Sequence, residues 1–180
     1  AFGGSCGGRL VTLGVCAVKF AYVDPPYFGR AKEHYGDHPE SPAFNAQETH
    51  LDLIDRLVDE FPDGWALCMN PRDLAWQLPR CPDDVRVAAW VKSWHQIRPT
   101  PVQFAWEPVV FRSEKTPRPS KPMVRDWICG PRSRCRGVIG AKPDYFNRWV
   151  LDLLGFHADE DELVDLFPGS EGMMKTVAQG

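Results

Sequence analysis

The chain has 180 residues, 43% of them hydrophobic and 25% charged, with a formal net charge of −3. That is enough chain for one domain with a sizeable core, and the weak negative charge excludes a global attraction to polyanions, so nucleic acid has to meet a local patch. No apolar run reaches the roughly 18 residues that a membrane span needs, and 17 prolines predict short elements joined by many loops.

The Gly-rich start, residues 1–18, has no clean charged region before its apolar part and reads as a flexible leader rather than a signal peptide. The domain proper is expected over 19–180. Lys19 to Val23 is short, β-branched and aromatic, and is cut off by Pro25-Pro26, which predicts a buried strand. "AQETHLDLIDRLVDEF" follows, with Leu51, Ile54, Leu57 and Val58 at helical spacing, so an amphipathic helix is expected. Trp65 to Asn70 is a second strand and "DVRVAAWVKSW", from Asp84, a third. Val102 to Arg112 is a fourth, where Pro108 predicts an edge or a bulge. A Pro-rich basic stretch, 115–137, reads as a loop. "KPDYFNRWVLDLLGF" is a second helix that buries Phe146, Trp149, Val150 and Leu153 and stops at Gly155. "DELVDLFPGSEGMMKTV" is a strand, a glycine-containing turn and one or two helical turns. Strands alternating with helices imply a single α/β domain with a largely parallel sheet.

The six cysteines, at 6, 16, 68, 81, 129 and 135, form no C-x-x-C pair and read as free thiols of a cytoplasmic protein. His34 and His38 are four apart, but Gly36 and Pro39 argue against a helix there, so a solvated loop is expected and no metal site. His50, His95 and His157 have no partner pattern and are expected at the surface or at helix ends. Trp90, Trp94 and Trp106 are expected in the core.

The chemistry-bearing stretch is "VDPPYF". In α/β sheets ligands bind beyond the carboxyl ends of strands, where Asp24 falls. Pro25 and Pro26 fix the backbone and have no N–H groups with which to close the turn. The result is a rigid row of acceptors, the Asp24 carboxylate and the Pro25 carbonyl, beside the ring of Tyr27. Such a row suits an amino group on a flat ring: the amine donates two hydrogen bonds and the ring stacks. The stretch 115–137 carries seven Lys or Arg and one acid, Asp126. It is suited to phosphates and to the salt-dependent part of nucleic-acid binding, with Trp127 as an anchor in the core.

The D-P-P-Y motif resembles the catalytic motif of the amino-methyltransferases, which methylate exocyclic nitrogens of adenine or cytosine with S-adenosylmethionine. The D-P-P-Y form is most typical of adenine-N6 members. In the permuted (β-class) members the catalytic strand comes first. A Lys-Pro pair opening a helix follows much later, and then a strand ending D-x-F-x-G-[ST]-G. Here Lys142-Pro143 and "LVDLFPGS" follow in that order, and "AWEPVVFR" looks like the family strand that carries a Glu before an apolar run. The resemblance covers residues 19–172. It extends to compact bacteriophage enzymes and, through D-P-P-aromatic, to the messenger-RNA adenosine methyltransferases.

The resemblance implies a circularly permuted, Rossmann-like methyltransferase domain with a compact sheet of five or more strands. It implies S-adenosylmethionine as cofactor, DNA as partner with the target base flipped out, and a cytoplasmic location, in the host for a phage protein. A homodimer or a partner subunit is the assembly it admits. Asp24, Pro25, Pro26 and Tyr27 would be catalytic, with Tyr27 and Phe28 stacking the base. Asp24, Lys142, Asp165, Phe167, Gly169 and Ser170 would hold the cofactor, Lys142 at its methionine carboxylate. Lys115, Arg118, Lys121, Arg132, Arg134 and Arg136 would lie along phosphates.

The alternatives are cytosine-N4 or RNA adenine methylation, and a non-catalytic nucleic-acid-binding subunit with a degenerate cofactor site. Methylation at cytosine C5 needs a cysteine nucleophile, usually in a Pro-Cys pair, and the chain has none. The chain departs from the family pattern at three points. Glu171 stands where the turn usually has its second glycine, the strands that usually follow the turn are absent, and there is no separate target-recognition domain.

Overall fold

The computed structural model describes residues 17–30, 41–93, 97, 99–113, 123–132, 141–169 and 171–179. Six strands form one sheet: β1 (Lys19–Val23), β2 (Gly64–Cys68), β3 (Arg86–Lys92), β4 (Trp106–Ser113), β5 (Trp127–Gly130) and β6 (Glu162–Asp165), in the order β5-β3-β4-β2-β1-β6. The described helices are α1 (Gln47–Glu60), a short α2 (Leu74–Gln77), α3 (Asp144–Leu154) and α4 (Gly172–Val177), with 3-10 turns at Ser41–Asn45 and Leu78–Arg80. None of them is long and apolar enough to cross a membrane.

The α/β reading holds, but the sheet is mixed. β1 is parallel to β2 and β6, and β3 to β5, while β4 runs antiparallel to both of its neighbours. Pro108 therefore lies in an interior strand, not at an edge. It is tolerated because the β2 ladder ends at Cys68↔Val109. One position beyond, the Met69 N–H donates to the Pro108 carbonyl at 3.2 Å, so the missing proline donor costs only the reciprocal bond of a pair where the strand is already ending. The stretch 115–137 is not all loop either, since β5 lies within it on the sheet edge.

The strand alternation buries two faces. Phe20, Tyr22, Cys68, Trp90, Val109 and Phe111 pack under α3 and α4, and Ala21, Val23, Trp65, Leu67 and Val110 pack under α1. In α1 the buried face is His50, Leu53, Ile54 and Leu57, turned slightly from the expected stripe, with Leu51 and Val58 half-buried at its margin. α3 buries Phe146, Asn147, Trp149, Val150 and Leu154, Leu153 being only half-buried. α3 ends at Gly155, whose φ of 67° supplies the left-handed residue that closes many helices. Gly64 opens β2 with φ 154°, and a Cβ there would stand 2.7 Å from the Arg112 carbonyl, so no side chain fits.

Three expectations about single residues change. His50 is in the first turn of α1 but 2% exposed, with Nε2 3.1 Å from the Phe44 carbonyl. Trp127 is 48% exposed on edge strand β5, with the Arg125 guanidinium over its ring, so it does not anchor a loop in the core. Trp90 is buried as expected, Trp106 is half-buried, and Trp94 lies outside the described residues, as do His34, His38 and His95.

Candidate active site

Asp24 is the first residue after β1, and Asp165 the last of β6. The two strands are parallel neighbours in register Tyr22↔Asp165, and the Leu166 N–H donates to the Tyr22 carbonyl at 3.1 Å. Two stretches far apart in sequence, D-P-P-Y and D-x-F-x-G, thus leave the sheet side by side. After Asp24 the chain runs through buried Pro25 and Pro26 into a turn closed by the Arg30 N–H on the Tyr27 carbonyl, with Gly29 at φ 69°. Asp165 Oδ1 accepts the Phe167 N–H at 3.1 Å, which pins the start of the second turn. Ser170 lies outside the described residues.

Lys142, just before α3, reaches across the strand ends. Its Nζ donates to both Asp24 carboxylate oxygens, at 2.8 and 2.9 Å, and stands 3.4 Å from the Tyr27 hydroxyl and 3.5 Å from a Glu107 oxygen. Glu107 comes from β4, which runs against its neighbours, so its starting end meets the finishing ends of β1 and β2. Glu107 accepts from the Tyr27 hydroxyl at 3.1 Å and pairs with Lys92 at the end of β3. Two lysines thus face two carboxylates in a site where the Lys142 and Lys92 side chains are each 9% exposed.

Burial pushes the Asp24 carboxyl above its ordinary value and Lys142 pulls it back. Burial works against the Lys142 charge, but Asp24, Tyr27 and Glu107 outweigh it and hold the amine charged. Burial also opposes the Glu107 charge, yet the two lysines win and bring its carboxyl to about 2. Desolvation raises the Tyr27 phenol well above its ordinary value, so it stays protonated and donates to Glu107.

A cavity of about 520 Å³ opens beside this cluster, lined by Tyr27, Phe28, Lys92, Phe104, Trp106 and Glu107 among others, with Arg30, Arg72 and Arg132 also in its wall. Its volume lies in the range of small-molecule sites. Phe28 lines the cavity but is also packed edge-on against Trp76 and His50, with centroids 5.7 and 6.2 Å away. It belongs to a chain of rings, continued by Phe44 and Phe167 at 5.3 Å from each other. Of the six expected phosphate contacts only Arg132 lies in the described residues, and it lines the cavity; Lys115, Arg118, Lys121, Arg134 and Arg136 lie outside them.

Lys92 is the functional candidate that sequence reasoning left out, and Glu107 was noted only as the glutamate of the "AWEPVVFR" strand, without a role in the site. The signal was present: each is a charged residue at the margin of a strand that is otherwise mostly apolar. Their pairing depends on β4 running antiparallel, which no local pattern states.

No protein-family model and no curated protein matches the chain. Among solved structures, the crystal structure of an M1.HpyAVI–SAM complex matches with a TM-score of 0.58 at 13% identity, over 91% of this chain and 78% of that one. The crystal structure of M1.HpyAVI matches with a TM-score of 0.57 at 14% identity, over 91% and 76%. The fold is shared with M1.HpyAVI. The match spans nearly the whole chain, so the sheet and the helices that frame Asp24 and Lys142 belong to the shared architecture. At this identity it is the fold, and not the chemistry, that the likeness to M1.HpyAVI establishes.

Glu171 is the one described non-glycine residue with positive φ, at 54°. The turn therefore keeps the left-handed conformation that glycine serves, with a glutamate in it. Its carboxylate is 3.3 Å from Lys175 on an exposed surface.

Proposed function

We propose that the chain is an S-adenosylmethionine-dependent methyltransferase of the permuted type that acts on the N6 amine of adenine in DNA. The observation that carries the reading is the convergence of D-P-P-Y and D-x-F-x-G on adjacent strand ends, with Lys142 bonded to Asp24. Support comes from M1.HpyAVI, which shares the fold and has been crystallised with SAM. The order of the elements, catalytic strand first and glycine-turn strand last, matches the permuted arrangement. Among the described strands β6 lies at the sheet edge.

The donor set suits the cofactor. Lys142 offers a buried, charged ammonium to the amino-acid carboxylate, and Asp165, Phe167 and Gly169 form the turn beside it. When bound, S-adenosylmethionine supplies an electrophilic sulfonium methyl. The residues of this chain do the rest by position. The amine of adenine is a poor nucleophile because its lone pair is delocalised into the ring. Asp24 and the Pro25 carbonyl would accept its two N–H bonds, draw the lone pair out of conjugation and stabilise the positive charge that grows on nitrogen as the methyl–sulfur bond breaks to leave a neutral thioether; the methylated nitrogen would then lose one of its two protons to solvent. The Tyr27 ring stacks the base, and its hydroxyl is fixed by Glu107. Arg132 and the basic residues of 115–137 take the phosphates, and the base leaves the duplex to enter the cavity.

Asp24→Ala is expected to lower methyl transfer to adenine-containing DNA by roughly 100- to 1,000-fold, as for loss of one preorganised polar partner, with the fold retained by circular dichroism. Full activity in that variant overturns the reading. Digestion of the product to nucleosides distinguishes N6-methyladenine from N4-methylcytosine, and an RNA substrate tests the RNA alternative. A competing reading, a nucleic-acid-binding subunit without catalysis, is favoured by Glu171 at its left-handed position. A folded protein that binds DNA but gives no heat with S-adenosylmethionine would support it.

A further inference from the structure

A second hollow, also about 520 Å³, lies behind the first and is lined by Pro71, Thr100, Pro101, Val102, Phe104 and Trp106, together with Arg72 and Gln103. The two hollows share one wall, formed by Pro71, Arg72, Phe104 and Trp106. In that wall the Arg72 guanidinium lies over the Phe104 ring, 4.5 Å from its centroid. The lip of the second hollow is held by its own bonds. The Thr100 hydroxyl donates to the Val102 carbonyl at 2.9 Å, and the Gln103 amide donates to the Thr100 carbonyl at 2.6 Å. Val102 stands 78% exposed on it, so this apolar surface is preformed and open to solvent.

We propose that the second hollow is a subsite for the base of the nucleotide adjoining the target in the same strand. This rests on the reading of the first cavity as the target-base site. A base has two apolar faces and a polar edge, which suits a shallow trough of proline, valine and aromatic surface. Stacking on such a surface accepts any base, because every base has a π-face. The phosphate joining two neighbouring nucleotides carries one negative charge, and the exposed Arg72 sits on the partition between the hollows. Its guanidinium meets a phosphate with a planar fork while its face stays on Phe104. The pair therefore keeps the target base and its neighbour apart, as a partition one ring thick.

The test uses the full chain, single-stranded oligonucleotides with one target adenine, and matched versions with an abasic residue on the 5′ or the 3′ side of it. Val102→Asp is the main variant: it is exposed, lines only the second hollow and places a carboxylate there. Arg72→Ala is the second. In the wild type an abasic residue on one flank is expected to raise KM at least fivefold with kcat little changed, and on the other flank to do much less. Val102→Asp is expected to raise KM for the intact strand by a similar factor and to add nothing on the abasic strand, while cofactor binding stays constant. Arg72→Ala is expected to weaken both strands and to lower the salt dependence of KM. Indifference to an abasic residue on either flank overturns the proposal, as does an abasic effect that simply multiplies with that of Val102→Asp. If the wild type transfers no methyl group, the first reading fails. The subsite is then judged by equilibrium binding of the same oligonucleotides, where the same coupling supports it and its absence overturns it.

Discussion

The two faces of the sheet meet the same edge in opposite ways. On the face under α3, the strand ends carry Asp24, Lys92 and Glu107, and Lys142 reaches over them from just before α3, two charges of each sign, with the Tyr27 hydroxyl among them. On the face under α1, the same edge carries Phe28, Phe44, His50, Trp76 and Phe167, each ring edge-on to a neighbour. The charged face sets atoms at hydrogen-bond distances and depends on every partner being present. The ring face sets planes at centroid spacings of 5–6 Å and tolerates one poor contact, because stacking preferences are shallow. On the proposed function, the acceptor for the amine lies on the first face, and the turn beside it is pinned through Phe167 on the second.

The comparison can be broken most sharply at Glu107. Glu107→Gln leaves Lys92 and Lys142 with only Asp24 as a carboxylate partner in a largely buried site, and breaking such a pair costs about 3–5 kcal/mol. A fall of that size in urea-denaturation stability is expected; a loss below ~1 kcal/mol would mean that solvent already screens the cluster. The pH dependence has a definite sign. Glu107 is held at about 2 when folded, from an ordinary value near 4.5, so its contribution is present above 4.5 and is lost as pH falls through 2. The variant should lack that limb of the acid transition.

His50 sharpens the other side. Burial lowers its pKa from the ordinary 6.5, so the unfolded chain takes up a proton that the folded chain refuses. Stability should be full above 6.5 and fall as pH drops below it, by at most 1.4 kcal/mol per unit of pH. His50→Gln removes that dependence while keeping a donor for the Phe44 carbonyl. An unchanged slope between pH 6.5 and 5 would show that the ring face opens readily to water.

The smallest effect is expected at Glu171, outside both faces. Its positive φ costs a non-glycine residue about 1 kcal/mol, so Glu171→Gly should raise stability by about that much, read as a shift in the midpoint of thermal unfolding. A loss instead would mean that the Lys175 contact, or a demand for glutamate at the turn, outweighs the backbone strain.

Much of the site was legible because its motifs are local. D-P-P-Y, Lys142-Pro143 and D-x-F-x-G each announce a backbone event: a strand end without N–H groups, a helix start, a tight turn. The structure has each of these backbone events: β1 ends just before Asp24, α3 starts just after Pro143, and the chain turns after Asp165. The strands too were read from composition, apart from β5, which is four residues long and hidden among prolines and arginines. What escaped was direction and partnership. Nothing in "AWEPVVFR" says that β4 runs against its neighbours, and Pro108 pointed to an edge although the strand is central. Without that direction, Glu107 cannot be seen to reach Tyr27 or to share Lys142 with Asp24. His50 was misjudged for a related reason, because its burial depends on Phe44 folding back from the 3-10 turn just before α1 and on Trp76 closing over it from α2.

The pairing of β1 with β6 carries a consequence for how the molecule is made. Among the described strands the first and the last are hydrogen-bonded partners, Lys19 with Glu162 through Tyr22 with Asp165, and Lys142 reaches Asp24 from the same distant part of the chain. During synthesis the edge of β1 that pairs with β6 waits until Glu162–Asp165 has left the ribosome. Contacts of such long sequence separation are slow to form, since loop closure comes before their reward. Until then Asp24 and Lys142 remain separately hydrated. The charge cluster therefore divides: Lys92 and Glu107 sit on neighbouring strands only 15 residues apart and need no such closure, whereas the Asp24–Lys142 pair spans 118 residues and has to wait for it.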